Sequence, residues 1–266
     1  MIFMKPRALI LHATGTNRDM DAAAALSLAG AEPEVVHINQ LRRKEKRWQD
    51  YQMLVIPGGF SYADALGAGK LFALDLKVYF ADEAGAFVAA GKPVIGICNG
   101  FQALVKAGLL PTHQPEQRLG ADVQATLTFN ASGKFECRWV NLIPSSQKCL
   151  WTRDLHEIIT CPVAHGEGNF VVARPLDLER LRLQDQIALV YAGEDGIPAG
   201  GAYPDNPNGS LVDIAGICNP QGNVLGLMPH PEDHILPLQH PRRTRGAEMR
   251  SGLPLFRNGV EYAVQM

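Results

Sequence analysis

Apolar residues fall along the chain in short runs, separated by glycines, prolines and charged clusters. Residues 7–12, 52–56 and 93–97 are almost unbroken apolar stretches, too short for helices. They read as strands, the one at 93–97 a short buried one. A further strand fits 34–38. Between these runs the period changes. Residues 19–29 are rich in Ala and Leu and end at Gly30. Residues 70–90 carry one long helical pattern closed by Gly91, and 99–107 a shorter one closed by Gly108. A glycine just past the last periodic residue stops a helix because it takes the left-handed conformation without a Cβ clash. Strand and helix therefore alternate through the first half with short connections, which predicts parallel strands with helices on both faces.

The second half is richer in strands. Residues 125–129, 135–142, 157–163, 170–173 and 187–191 have strand character. Residues 211–217 and 223–228 flank the turn Asn219-Pro220-Gln221-Gly222, the pattern of a hairpin. A last helix fits 252–264. No internal repeat or low-complexity linker interrupts 1–266. The expectation is one α/β domain, with a central, mostly parallel sheet flanked by helices and some antiparallel strands toward the C-terminus.

Composition narrows the function classes. A chain of 266 residues buries a large core without disulfide staples. Its 25 Lys and Arg against 27 Asp and Glu give a net charge of −2. That balance lacks the clustered basic face of a nucleic-acid binder. The two basic runs, 41–47 and 241–250, read as solvated surface or as part of a partner interface. The five cysteines, at 98, 137, 149, 161 and 218, are odd in number and form no CxxC pair. Neither a zinc site nor a disulfide framework is expected. Residues 1–10 read as a first strand and not as a signal peptide. No stretch approaches the roughly 20 apolar residues that span a membrane. A cytoplasmic, reducing setting is the expectation, and it suits a reactive thiol.

The strongest local signal is Val94-Ile95-Gly96-Ile97-Cys98-Asn99-Gly100-Phe101-Gln102. A strand runs into a cysteine flanked by glycines two residues away on each side, and a helix follows. This is the thiol form of a nucleophile elbow, where small neighbours let strand and helix approach while a tight turn lifts the sulfur out. A free cysteine is most often an ordinary small buried residue. The framing of Cys98 argues otherwise, whereas Cys137, Cys149, Cys161 and Cys218 lack such a context and read as structural. A thiol nucleophile needs a base. His230, in Met228-Pro229-His230-Pro231-Glu232, follows an apolar strand between prolines that fix the backbone, and Glu232 is close enough to orient its ring. His165, within Ala164-His165-Gly166-Glu167-Gly168, is the rival. Its glycines suggest a loop that approaches substrate or partner closely, or a plain turn. Attack on a carboxamide creates an oxyanion that needs two N–H donors. The backbone of Asn99 supplies one, and the glycine turn Pro57-Gly58-Gly59-Phe60 at another strand end is placed to supply the second.

Together these segments resemble the class I, or triad, glutamine amidotransferase family with its flavodoxin-like fold. The resemblance is sharpest to the glutaminase subunits of phosphoribosylformylglycinamidine synthase. It rests on 57–64 (PGGFSYAD), 96–102 (GICNGFQ), 135–140 (FECRWV), 164–168 (AHGEG), 206–210 (NPNGS), 214–217 (IAGI) and the first loop, 15–19 (GTNRD). It implies hydrolysis of L-glutamine through a cysteine thioester, with ammonia passed to a large synthetase subunit in purine biosynthesis, often with a small bridging subunit. By that resemblance Cys98, His230 and Glu232 form the triad and the backbones of Gly59 and Asn99 hold the oxyanion. Gly58, Phe60 and Gln102 would meet the glutamine. No cofactor or metal is expected in this chain, and no nucleotide motif is visible, so ATP and Mg²⁺ are expected on the synthetase. The alternatives are the glutaminase of another amidotransferase, a free-standing hydrolase, or a non-catalytic regulatory subunit. The sequence departs from the resembled pattern at Arg18, where a cysteine is usual, at Asp233, where an arginine is usual, and in a longer basic stretch over 236–250. Asp233 and the basic stretch are expected to bear on partner contacts and to leave the triad untouched.

Overall fold

Four successive buried residues, Ala8 to Leu11, make the strand Arg7–His12 (β1) the middle of a sheet, because a strand covered on both faces has no polar side to turn outward. The computed structural model describes residues 4–111, 124–246 and 248–266. After β1 come Asp19–Ala29 (α1), Glu32–His37 (β2), Ile38–Arg42 (α2), Met53–Ile56 (β3), Lys70–Tyr79 (α3), Ala81–Ala89 (α4), Val94–Ile97 (β4) and Asn99–Ala107 (α5). The second half adds Ala125–Thr128 (β5), Glu136–Pro144 (β6), Ile159–His165 (β7), Asn169–Val172 (β8), Pro175–Leu183 (α6), Ile187–Ala192 (β9), Ile214–Cys218 (β10), Val224–Leu227 (β11) and Leu253–Gln265 (α7).

Nine strands form one sheet in the order β2-β1-β3-β4-β11-β10-β9-β6-β7, and β5 pairs with β8 separately. The pairs from β2 to β11 are parallel, and those from β11 onward to β7 are antiparallel. Helices α1 and α7 pack on each other, as do α3 and α5. This is the α/β architecture that the alternation implied, with the expected hairpin formed by β10 and β11.

Four details differ from the pattern along the chain. The helix expected over 70–90 is two helices. Phe80 leaves helical geometry (φ −132°, ψ 18°) to bury its ring 5.6 Å from Trp48, and its carbonyl accepts Ala84 N–H to start α4. Its apolar spacing hides the bend. The strand expected to end at Ile38 instead turns into α2, where the His37 side chain accepts Asn39 N–H and Gln40 reaches back to His37 N–H. Helix α6 was not foreseen, because it buries little beyond Asp177 and Leu181 and so shows no apolar stripe. The strand expected over 211–217 begins only at Ile214. Asp213 turns inward first, to accept the N–H groups of Gly200 and Gly201 at 2.7 and 2.8 Å.

The basic stretch 236–250, of which residue 247 lies outside the described residues, makes two short 3₁₀ turns, Pro237–Gln239 and Arg243–Arg245. His240 from this stretch lies 5.0 Å from Trp139 of β6. Residues 1–3 of the N-terminal segment also lie outside the described residues. No helix among the described residues is long and apolar enough to cross a membrane.

Candidate active site

The strand ends decide where chemistry collects. In a parallel sheet the carboxyl ends of adjacent strands open on one crevice. β4 lies between β3 and β11, with Ile97 of β4 in register with Leu227 of β11. Chain leaving β3, β4 and β11 therefore emerges side by side, and these exits carry Gly58-Gly59, Cys98 and His230.

Cys98 begins α5 in a strained conformation, φ 50° and ψ −104°. Two hydrogen bonds fix it there. Its N–H donates to Leu227 O at 2.8 Å, and its carbonyl accepts Gln102 N–H at 3.0 Å. The flanking glycines are steric necessities. A Cβ on Gly100 would overlap the carbonyl oxygen of Ile56, and one on Gly96 would meet Gly100 O at 2.8 Å. Because the obstacle at Gly100 is rigid backbone of β3, Gly100→Ala is expected to destabilise the fold by about 3 kcal/mol or more. A urea unfolding midpoint equal to wild type would refute this account of the elbow.

His230 N–H is anchored on Pro162 O of β7 at 2.8 Å. Its Nδ1 lies 2.8 Å from Glu232 Oε1, and both side chains are buried. Its ring lies within electrostatic reach of the Cys98 sulfur. Glu232 sits on the short turn Pro231–Asp233, begun by Pro231, so the proline sets the angle at which the carboxylate faces the ring. Gly58 makes room for that ring, since a Cβ there would come 2.7 Å from His230 Cε1. Burial alone disfavours a charged imidazole. Glu232 and the charge on Cys98 outweigh it and hold the His230 pKa well above its ordinary value. The arrangement favours an imidazolium beside the sulfur, which sits at the N-terminus of α5.

The other candidates separate from this group. His165 is buried, with Nδ1 3.1 Å from Asn130 Oδ1 and Nε2 without a partner among the described residues. Burial, aided by the charge of His230, presses its pKa down to about 3. It is a neutral ring at working pH, turned to Asn130. The sulfur's neighbour on that loop is the Ala164 carbonyl oxygen, 3.8 Å from Sγ. Cys161 is buried close by, but burial and the charges of Glu232 and Asp233 push its pKa well up and keep it a thiol.

Gly59 has φ +128° in a turn bridged to Thr16, while the neighbouring Phe60 N–H is spent on Gly15 O at 3.1 Å. Phe60 itself is partly exposed at the rim and stacks on Phe135 at 6.4 Å. Gln102 is buried and both ends of its amide are occupied. It donates to Glu167 O at 2.7 Å and accepts from Asn99 Nδ2 at 3.2 Å. In this state it holds the 164–168 loop against α5.

Sequence reading missed the clamp beneath the elbow. Asn99 Oδ1 accepts from Ser61 Oγ, and Asn99 Nδ2 donates to Asp64 Oδ1 at 2.9 Å. Tyr62, Ala63 and Asp64 are held in successive left-handed conformations, each of which costs a non-glycine residue about 1–2 kcal/mol. The only advance signal was the polar Ser61–Asp64 pair beside the glycine turn. The expectation that Asp233 leaves the triad untouched needs correction. It stands within electrostatic reach of both Glu232 and His230, and 3.5 Å from Arg18.

Comparison with known proteins fixes the family and the fold. Residues 5–263 match a family described as the CobB/CobQ-like glutamine amidotransferase domain. The phosphoribosylformylglycinamidine synthase subunit PurQ of Treponema denticola is 59% identical, over 98% of this chain and all of that one. The protein of the same name from Dehalococcoides mccartyi is 40% identical, over 98% and 99%. In the solved structure of PurLQS from Thermotoga maritima, a chain 33% identical aligns with a TM-score of 0.73 over 97% of this chain and 99% of that one. A glutamine amidotransferase from the same organism, only 16% identical, shares the fold with a TM-score of 0.57. The chain thus belongs to the CobB/CobQ-like glutamine amidotransferase family, among the PurQ subunits of phosphoribosylformylglycinamidine synthase.

Proposed function

We propose that the chain is the glutaminase subunit of phosphoribosylformylglycinamidine synthase, hydrolysing L-glutamine at Cys98 and delivering ammonia to a synthetase subunit in purine biosynthesis. One observation carries the reading. A sulfur on a strained turn meets an imidazole whose far nitrogen lies 2.8 Å from a buried carboxylate. In this reading the Cys98 thiolate attacks the side-chain carboxamide carbon. The oxyanion is received by the N–H groups of Gly59 and Asn99, each such donor being worth roughly 3–4 kcal/mol. The His230 imidazolium gives its proton to the departing nitrogen, ammonia leaves, and a glutamyl thioester remains. Neutral His230 then takes a proton from water, whose oxygen attacks the thioester carbon and releases glutamate and the thiolate. Glu232 holds the ring in register throughout.

ATP and Mg²⁺ act on the synthetase in this scheme, with a small third subunit bridging the two. A cytoplasmic setting suits the unpaired thiols. The test is reconstitution with a synthetase subunit. Glutamine hydrolysis is expected to rise on mixing and to match amidine formation from formylglycinamide ribonucleotide and ATP. Full glutaminase activity from the isolated chain, unchanged by the synthetase, would point instead to a free-standing hydrolase.

A further inference from the structure

Behind the His230–Glu232 pair stand groups that glutamine hydrolysis as written leaves unused. Glu232 and Asp233 are consecutive carboxylates on one short turn. Glu232 spends Oε1 on His230, and its Oε2 is buried without a hydrogen-bond partner among the described residues. The Asp233 side chain is only 16% exposed. Two carboxylates so close repel one another, and the repulsion drives one of them to take up a proton.

The compensating cation comes from the loop before α1. Arg18 Nη1 lies 3.5 Å from Asp233 Oδ2 and 3.2 Å from Asp21 Oδ2. Arg18 is also fixed to the opposite wall of the site. Its N–H donates to Gly58 O at 3.4 Å, and its Cγ lies 3.5 Å from where a Cβ on Gly58 would stand. One residue thus spans the glycine turn under His230 and the carboxylates behind it. The groups bearing on Asp233 are Glu232 and His230 from its own segment, Arg18 and Asp21 from the start of α1, and Cys161 from β7. Arg18 is the one permanent cation among them. Burial and then Glu232 push Asp233 up to about 6, while His230 and Arg18 pull it down.

We propose that Arg18 is a positioning residue for glutamine hydrolysis, the counter-charge that keeps Asp233 an anion drawn toward α1 and so leaves Glu232 wholly to His230. The inference rests on the triad reading given above. Without Arg18, Asp233 takes up a proton within the working pH range. A protonated Asp233 is a donor beside a carboxylate with one vacant buried oxygen. A proton shared between the two carboxylates weakens the charge that supports the His230 imidazolium.

The test is Arg18→Met in the chain assembled with the synthetase, with glutamine-dependent kcat and KM followed against pH. The expected result is a roughly tenfold loss of kcat at neutral pH with KM within about twofold. The acid limb should move up by about one pH unit. Adding Asp233→Ala, which leaves no donor beside Glu232, should restore kcat to within about threefold of wild type and abolish the shift, and Arg18→Lys should retain most activity. Synthesis from ammonium salt should be equal in all variants, which shows that the complex is intact. The assignment is overturned if the double variant is as slow as Arg18→Met, if the loss lies in KM, or if Arg18→Met costs nothing. Cys98→Ala run alongside separates the two readings. Retained glutamine turnover there sinks the triad, whereas an inactive Cys98→Ala with an unrescued Arg18→Met sinks the Arg18 assignment alone.

Discussion

Cys98→Ala is expected to cut glutamine-dependent amidine synthesis to below about 10⁻⁴ of the wild-type rate. Synthesis from added ammonium salt should stay within about twofold of wild type, because that route bypasses this chain's chemistry. The split follows from the structure. The sulfur stands on the strained turn at the start of α5, within electrostatic reach of the His230–Glu232 pair. Cys161 is no substitute, because burial, with the charges of Glu232 and Asp233, holds its proton on. The substitution should also leave the fold in place, since the 98 backbone is held by Leu227 O and Gln102 N–H and not by the side chain. Assays with each nitrogen source on the same reconstituted complex check the prediction. Equal loss of both would mark Cys98 as structural.

Glu232→Gln is expected to lower glutamine-dependent kcat by ~10²–10³-fold at neutral pH, less than the ~10⁴-fold that a wrong tautomer costs a serine triad. A thiol is more acidic than a hydroxyl and depends less on its base. The pH profile should change in a defined direction. In the wild type, burial pushes the His230 pKa down, and Glu232 together with Cys98 more than reverses this. The imidazolium that protonates departing ammonia therefore persists well above the ordinary histidine value, and activity declines only as pH rises past that raised pKa. A neutral glutamine removes the largest of the raising influences. The alkaline limb should then fall to lower pH. The same group contributes stability that is full below the unfolded-state pKa and is lost as pH rises through the folded-state one, so the variant should lose least stability at high pH. A profile that keeps its alkaline limb would show that Glu232 does not govern the charge on His230.

Much of this site is legible in the chain because its chemistry is local. The elbow needs Gly96 and Gly100 around Cys98, and the base needs its carboxylate two residues away, so each signal fits within a few positions. What brings them together is the pairing of β4 with β11, which the apolar runs at 93–97 and 223–228 imply as strands without fixing their order. The fold class follows from alternation for the same reason, while α6 escapes notice because it buries too little to leave a period. The Asn99–Asp64–Ser61 clamp and the Arg18–Asp233 pair were illegible for a different reason. They join positions far apart in sequence through polar side chains, which carry no periodic signal at all. Gln102, which the family resemblance places against glutamine, has its amide bound to Glu167 O and Asn99 in this structure.

The central claim is that the sulfur of Cys98 carries the glutamyl group between two chemical steps. Rapid acid quench of the complex during turnover, followed by peptide mapping, tests it most directly. A glutamyl adduct confined to the Cys98 peptide, absent from Cys98→Ala and accumulating in Glu232→Gln, is the result expected. Turnover with no adduct, or an adduct on Cys161 or another residue, would contradict it.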